Sequence, residues 1–594
     1  MNNVILTGNF LRKIHDLNDK IMRMTHLTKH RQIDDEGYLF HYNEISHYSC
    51  VIDLHKDAKT YTYHFNNKTY IICFDGELFN KETLIKELSE HHYTLVSHSD
   101  SEVVLYSYIE WGFEVLNKLE GAFVFIIDNG EEFIAVRDTM GIKPLYYYKD
   151  EDTFVFTDEI KCILAYIGEA IVDQNGIKEL LGLGPSVTPG KTIYKDIYSL
   201  RPAHYLYYKN DICIHRYWSL KDKEHTDSLE ETIVKVRNMV KESTLSQIKN
   251  KGVSSMLSGG LDSTILTSIA SSYQNQLDTY SVSYEDQKEH FKSYDYQTTM
   301  DDEYIEDALN LYNLNHHTIE LSQDDLANGL KEALILRDMP GMADIDVSLM
   351  LFGKEIAKKD TICLSGECAD EIFGGYPWFY KEELYNLPHF PWMRDLENRI
   401  ELFHDDIKKL NIKDYIIDRY NGTLNEINTK DKHRHILYLN IEWFMQTLLN
   451  RCYTMTSSRL KVLVPFASSK IVEYLYNMPI DFIMYNNEEK GILRKAFEDD
   501  LPKSILHRKK NPYPKTHSPQ YKELVSQLLL DSLEDKNNIL FQLFNKNKLY
   551  ELAFEKGDSM VNPWFGQLMM GPQFIAYLYS IYLWGKIYHI TLQL

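Results

Sequence analysis

The sequence predicts a multidomain α/β protein: a two-sheet sandwich, then a parallel sheet covered by helices, then a mainly helical end. Three observations carry this expectation. The first 210 residues hold many short alternating strands and few helices. A polar run, Lys221-Asp222-Lys223-Glu224-His225-Thr226-Asp227, then breaks the texture. After it, short apolar strands alternate with long helical patterns, as strand–helix–strand units do. The expected domains are residues 1–210, a linker over 211–230, and residues 231–594.

In the first domain, strands are expected at 61–65, 70–74, 122–127, 133–137 and 154–157, with turns such as Asn129-Gly130 between several of them. One helix fits 81–91, where Leu84, Ile85 and Leu88 share a face, and another fits 102–112. In the second domain, strands are expected at 254–257, 279–282 and 361–364, and from about residue 380 the pattern is mainly helical. There is no internal repeat and no low-complexity tract.

With 594 residues, 44% of them hydrophobic, the chain can bury a sizeable core. No apolar run reaches the roughly 18–20 residues that a membrane span needs, and the N-terminus lacks a secretory pattern. A soluble, cytoplasmic protein without a membrane partner is expected. The net charge of −23 argues against a dedicated nucleic-acid binder, which needs cations to neutralise phosphates. The seven cysteines are scattered, with no CxxC or zinc spacing, as expected for free thiols in a reducing compartment.

The first chemical motif is Ser258-Gly259-Gly260-Leu261-Asp262-Ser263-Thr264, after an apolar strand and before an apolar helix. The glycines let backbone N–H groups close around an anion, and a helix start adds partial positive charge. Ser258, Ser263 and Thr264 add hydroxyl donors. The Walker pattern would need GxxxxGK[ST], which is absent. The motif reads as the pyrophosphate-binding loop (PP-loop) of ATP pyrophosphatases, which split ATP between its α and β phosphates.

A second strand–turn–helix reads Leu364-Ser365-Gly366-Glu367-Cys368-Ala369-Asp370-Glu371-Ile372-Phe373-Gly374-Gly375-Tyr376. Glu367, Asp370 and Glu371 crowd one helix start. Carboxylates there can hold Mg²⁺, which prefers oxygen ligands and bridges phosphates. One of them can also act as general base toward an incoming amine. A basic cluster, Arg508-Lys509-Lys510, follows a helical stretch with Lys490, Arg494 and Lys495, and suits a departing pyrophosphate.

Together these motifs resemble the glutamine-hydrolysing asparagine synthetase family, in a bacterial branch, over nearly the whole chain. In the first half the likeness rests on Phe74-Asp75-Gly76-Glu77-Leu78-Phe79-Asn80, on Ser97-His98-Ser99-Asp100-Ser101-Glu102, and on the stretch from Arg137-Asp138 to Lys143-Pro144-Leu145-Tyr146-Tyr147. In the second half it adds Arg337-Asp338-Met339-Pro340-Gly341-Met342-Ala343-Asp344, Lys510-Asn511-Pro512-Tyr513-Pro514-Lys515-Thr516-His517 and Pro563-Trp564-Phe565-Gly566-Gln567-Leu568-Met569.

The resemblance implies a class II glutamine amidotransferase domain of N-terminal-nucleophile αββα type, then an ATP-pyrophosphatase domain of adenine nucleotide alpha hydrolase-like type. It implies ATP and Mg²⁺ as cofactors, an acyl-adenylate intermediate, and asparagine made from aspartate. By the family pattern Leu257, Ser258, Gly259, Gly260, Asp262, Ser263, Val282, Ser365 and Gly366 hold the nucleotide. Asp262 and Asp370 lie at the metal, Glu367 is the base, and Lys490 and Lys510 act at the phosphates. A homodimer is the implied assembly, which the sequence does not fix.

Departures from the family pattern cluster in the glutamine site. Members begin Met-Cys-Gly-Ile, and the cysteine is the nucleophile; here Asn2 stands in its place, and a carboxamide cannot attack glutamine. The Arg-Gly-Pro-Asp turn reads Arg31-Gln32-Ile33-Asp34. The stretch with the arginine that clamps glutamine's carboxylate reads Ser46-His47-Tyr48-Ser49-Cys50. The oxyanion-hole Asn-Gly reads Asp75-Gly76, where a carboxylate would repel the developing charge. Asp100, matching the ligand of glutamine's amino group, and Gly76 remain. In the second half, a Leu-Glu-Val-Arg-Val-Pro-Phe stretch reads Leu460-Lys461-Val462-Leu463-Val464-Pro465-Phe466, and an Arg-Lys-Asp-Arg-Met-like run reads Arg451-Cys452-Tyr453-Thr454-Met455.

The expected activity is therefore amide formation through an acyl-adenylate, fed by free ammonia or another amine, with glutaminase activity absent. An alternative keeps the adenylation but amidates or cyclises another carboxylate, as β-lactam synthetases and lasso-peptide cyclases do. A non-catalytic scaffold is a third reading, and the intact SGGLDS and Glu367–Asp370 elements weigh against it.

Overall fold

The computed structural model describes residues 62–149, 154–209, 211–291, 299–456 and 460–594, the backbone of the strands Thr7–Asn9, Glu36–Tyr42 and His47–Asp53 and of residues 60–61, and Lys20, Arg23, Met24, His26 and Leu27. The chain forms two compact units, Met1–Ala170 with Pro189–Leu220, and Ile171–Thr188 with Lys221–Leu594. No helix among the described residues is long and apolar enough to cross a membrane.

The first unit is built on a six-stranded antiparallel sheet, in the order Ile212–Arg216, His204–Tyr208, Phe133–Arg137, Gly121–Asp128, Lys68–Leu78 and Thr60–Phe65. Alternation along Lys68–Leu78 feeds two cores. Ile72 and Phe74 face the helices Lys81–Glu90 and Asp100–Trp111, packing with Leu84, Leu88 and Val104. Ile71 and Cys73 face the other way, packing with Leu145 and with Phe154 and Phe156 of a second antiparallel sheet, Ile197–Ser199, Tyr146–Lys149 and Phe154–Thr157. The helix Ile160–Ile167 packs on that second sheet. The layers run helix, sheet, sheet, helix, as expected for an αββα sandwich.

The second unit holds a five-stranded parallel sheet in the order Leu314–Leu321, Leu277–Tyr284, Ser254–Met256, Ile362–Leu364 and Lys461–Leu463. The first strand in sequence lies in the middle. The next two run outward on one side and the last two on the other. The winding direction therefore reverses between Ser254–Met256 and Ile362–Leu364, and in such sheets the crevice at the C-terminal ends of those two strands binds ligands. Beyond residue 380 helices dominate, ending in Gly571–Tyr588, whose face buries Phe574, Leu578 and Trp584.

Two findings refine the linear reading. Ile212–Arg216, inside the stretch expected as linker, is a strand paired with His204–Tyr208, so the first unit continues to Leu220. Ile171–Thr188, inside the span expected of the first domain, belongs to the second unit. There Ile171–Asp173 pairs in parallel with Thr591–Gln593, and Ile177, Leu180, Leu181 and Leu183 are fully buried or nearly so. A search for a polar break overlooks this excursion because an apolar segment causes it. Of the cysteines described, Cys213 is exposed and Cys73, Cys162, Cys363, Cys368 and Cys452 are buried.

Candidate active site

A cavity of about 220 Å³ opens at the reversal point of the parallel sheet. Its walls include the segments that leave the two central strands. From the first come Leu257, Ser258, Gly260, Asp262 and Ser263; from the second come Ser365, Gly366, Glu367 and Asp370. Val282, Lys490 and Lys510 also line it. Gly259 does not, although its motif neighbours do. It takes φ +64°, and a Cβ there would lie 2.6 Å from Cβ of Tyr304, so it packs the loop against the helix Asp302–Leu311.

The loop is held by its own hydroxyls. Ser258 N–H donates to Ser263 Oγ at 3.3 Å, and Thr264 Oγ1 donates to the Gly260 carbonyl at 2.8 Å. The helix Leu261–Tyr273 starts here, so its first N–H groups and dipole point toward the cavity end of the loop. Arg508 braces the outside: its Nη1 donates to the Ser258 carbonyl at 3.0 Å, its Nη2 pairs with Asp301 at 2.5 Å, and its guanidinium stacks on Tyr304. Of the basic cluster, Arg508 therefore braces the loop, Lys509 is exposed at the rim, and Lys510 reaches the cavity.

Asp262 and Asp370, far apart in sequence, share Lys490. Its Nζ lies 2.5 Å from Asp262 Oδ2 and 2.5 Å from Asp370 Oδ1, and its side chain is 2% exposed. Lys510 Nζ lies 3.7 Å from Asp370 Oδ2, over the Tyr376 ring, and donates to Gln567 Oε1 at 2.7 Å. The close approach needs glycine at 375, because a Cβ there would sit 1.9 Å from Asp370 Oδ1 and 2.5 Å from Lys490 Cε. Burial opposes the charge on Lys490, but Asp262 and Asp370 raise its pKa above the ordinary value. Burial also opposes ionisation of Asp370, but Lys490 and Lys510 hold it below the usual range, whereas burial leaves Asp262 raised despite Lys490. Lys490 and Cys368 both hold left-handed backbone, at φ 57° and 77°, a strain that clusters where structure around a site enforces it.

The three acids of the second motif separate. Asp370 faces the lysines. Glu367 pairs with Arg451, Nη2 to Oε1 at 2.7 Å. Glu371 turns inward and accepts from Tyr376 OH at 2.5 Å; burial first, then the charge of Asp370, push its pKa up to about 8. Glu371 is thereby a neutral member of the core at pH 7.

Whether the acids fit Mg²⁺ turns on oxygen chemistry. Asp262 Oδ1 is buried with no hydrogen-bond partner, and carboxylate oxygens are the donors Mg²⁺ prefers. Among the described residues no group of three or more His, Cys, Asp or Glu side chains forms a metal cage. Two carboxylates suit an ion that takes its remaining ligands from phosphate and water.

In the first unit, Asp75 and Asp100 each carry a lysine. Lys143 Nζ lies 3.0 Å from Asp75 Oδ2, with the aspartate 1% exposed. Lys81 Nζ lies 3.0 Å from Asp100 Oδ1, and the Leu78 N–H reaches Asp100 Oδ2 at 3.3 Å. Gly76 sits in the same strand as Asp75, opposite Phe123 of the neighbouring strand. Asn2, residues 31–34 and Ser46 lie outside the described residues, and 47–50 are described as backbone strand.

Two neighbours of the cavity were not given roles from sequence. Arg451 was noted within an altered run, and Gln567 within a matching stretch. The signal at 451 is an arginine on the helix face that carries Leu448 and Met455; a buried guanidinium requires an acid. Gln567 gave no such signal, since its partner Lys510 comes from a different loop.

A doubly wound sheet whose reversal point holds a serine-glycine cradle and lysine-bridged acids defines an α/β class built to hold phosphates. Comparison identifies the family. The asparagine synthase family model matches residues 235–570, and the glutamine amidotransferase domain model matches residues 5–218. The chain is 42% identical to glutamine-hydrolyzing asparagine synthetase 3 of Bacillus subtilis, over 92% of this chain and 91% of that one. It is 26% identical to glutamine-hydrolyzing asparagine synthetase 1 of the same organism, over 85% of each, and 24% identical to asparagine synthetase B of Escherichia coli, over 84% of this chain and 79% of that one. The chain belongs to the asparagine synthase family, and with it to the carbon–nitrogen ligases that use ATP.

Proposed function

We propose that this chain converts a carboxylate, aspartate in the first instance, to its amide through an acyl-adenylate, and that free ammonia or another amine supplies the nitrogen. The observation that carries the ligase reading is Lys490 standing between Asp262 and Asp370 in the cavity wall. A lysine shared by two acids beside an N–H cradle is a site balanced for a polyphosphate and its counterions.

In the first step the substrate carboxylate attacks the α-phosphorus of ATP, and the bond to the β-phosphate oxygen breaks, releasing pyrophosphate. The cradle of Ser258–Ser263 receives that charge, with Lys490 and Lys510 beside it. Leu257 and Val282 offer apolar walls to the adenosine, and Ser365 and Gly366 a close backbone. Asp262 and Asp370 are the residues that would hold Mg²⁺. That ion would neutralise charge on the departing pyrophosphate. In the second step the amine forms a C–N bond at the acyl carbon, the C–O bond to AMP breaks, and Glu367 takes the proton lost by nitrogen.

The nitrogen-source reading rests on the first unit. Lys81 on Asp100 places a cation where the family pattern implies a ligand for the amino group of glutamine, and at Asp75 a carboxylate held by Lys143 stands where that pattern implies an amide N–H donor to the oxyanion. Asn2 supplies no nucleophile.

The test is pyrophosphate release with ATP, Mg²⁺, ammonium and a panel of acids, alongside glutamate release from glutamine. Turnover with aspartate and ammonium, and no glutamate from glutamine, is expected. Turnover only with another acid or amine would move the chain to the alternative ligases or cyclases. No turnover with any acid would favour the scaffold, and glutamate release dependent on an intact first unit would refute the ammonia reading.

A further inference from the structure

We propose that Arg451 is the positioning residue of the amide-forming step: it fixes one oxygen of Glu367 and leaves the other to accept the proton from the attacking amine. This rests on the adenylate reading above and adds a residue to it. Arg451 lies on the helix Met445–Thr456 and is 3% exposed, while Glu367 leaves the parallel sheet and is 17% exposed within the cavity wall. Their contact is a single bond, Nη2 to Oε1 at 2.7 Å. Nε of Arg451, the neighbouring donor on that edge of the guanidinium, is buried and has no hydrogen-bond partner among the described residues. The grip is therefore one-pronged, where an arginine meeting a carboxylate squarely would use two donors and occupy both oxygens.

The arginine itself is held. The Tyr513 ring lies 5.2 Å from its guanidinium carbon. Tyr513 OH lies 3.2 Å from Ser348 Oγ, and Ser348 Oγ lies 2.8 Å from Tyr284 OH. These partners come from three separate elements, so the guanidinium has a fixed seat. Glu367, by contrast, has no other side-chain hydrogen bond to its carboxylate among the described residues. Its orientation depends on Arg451. A base must meet the proton it takes within hydrogen-bond reach and direction, and losing that alignment costs rate even when the base remains. The proton moves from the amine nitrogen to the free oxygen of Glu367 as the C–N bond forms and the C–O bond to AMP breaks; Arg451 exchanges no proton.

The two half-reactions separate this role from a structural one. Aspartate-dependent exchange of labelled pyrophosphate into ATP reports adenylation, and asparagine formed with ammonium reports the second step. With the full chain carrying Arg451→Met, exchange is expected to stay within about threefold of the unmodified chain while amide formation falls on the order of 100-fold. Arg451→Lys, which keeps the charge as a point without the planar fork, should restore part of that loss, to a deficit of about tenfold. Should Arg451→Met fail to fold, the Lys variant carries the test alone, with the same split between half-reactions. Parallel loss of both half-reactions, or a raised KM for aspartate in exchange with amide formation per adenylate unchanged, overturns the proposal. Absence of exchange in the unmodified chain with every acid of the panel overturns the adenylate reading itself, and that result is visible before any variant is made.

Discussion

In the second unit one lysine serves two aspartates, whereas in the first unit Asp75 and Asp100 have a lysine each. Lys490 reaches Asp262 and Asp370 at once, and Lys510 approaches from the other side. Lys143 faces Asp75, and Lys81 faces Asp100. The shared arrangement lines the cavity at the reversal of the parallel sheet, where an incoming cation and the phosphates that accompany it can reach it, whereas the Asp75 carboxylate is 1% exposed. The same two residue types thus build a binding site in one unit and, in the proposed reading, close one in the other.

Removing the shared lysine breaks the comparison most severely. Lys490→Met leaves the half-buried Asp262 and Asp370 with only Lys510 nearby, and breaking a largely buried ion pair costs about 3–5 kcal/mol. Pyrophosphate release should vanish and the melting temperature should fall, read by calorimetry and a pyrophosphate assay; a stable, active variant would sink the assignment. Glu367→Ala comes next. Amide formation should drop about 10²–10⁴-fold while exchange into ATP survives, and unchanged amide formation would remove Glu367 as base.

Lys143→Met sharpens the other side. It should cost about 1–3 kcal/mol of stability by removing the cation that faces the buried Asp75, with ammonium-dependent synthesis retained. Loss of synthesis in a folded variant would show that the first unit still serves the reaction. Asn2→Cys should restore no glutamate release from glutamine, since the lysine-paired aspartates remain. Measurable release would show that the nucleophile alone was missing.

The smallest effect concerns Glu371. Its folded pKa of about 8 lies above its ordinary value, so it binds a proton in the folded chain that it loses when unfolded near neutrality. The stability it contributes is full below about pH 4.5, the ordinary range of a glutamate, and is lost as pH rises through 8. Glu371→Gln should gain on the unmodified chain as pH climbs through that window, measured as the difference in melting temperature. A difference independent of pH would contradict the neutral state.

Much of this was legible because it is local. The Ser258–Ser263 motif sits between a strand and a helix in sequence as in space, so its turn and its donors could be read directly. Phe133–Arg137 and Phe154–Thr157 match their expected bounds because turn residues mark their ends. The strands Leu314–Leu321 and Lys461–Leu463 were not singled out; the first carries two histidines and an asparagine, and the second spans only three residues. The pairing of Arg451 with Glu367 spans 84 positions, and that of Lys490 with Asp262 spans 228. Composition can say that a buried arginine needs an acid but not which one. Likewise, crowding in sequence put Glu371 with Glu367 and Asp370, yet one turn of helix sends their side chains three ways.

The excursion of Ile171–Thr188 bears on how this chain could be taken apart. The backbone passes between the units three times, so no single cut separates them. A fragment starting at Lys221 would lack the carbonyls of Leu181, Gly182 and Pro185 that receive the buried guanidinium groups of Arg399 and Arg337. It would also lack the partner of the last strand, Thr591–Gln593. Proteolytic nicking or gene dissection near residue 210 should therefore yield an insoluble C-terminal piece, and a soluble ligase fragment would have to carry the short apolar detour grafted back onto it.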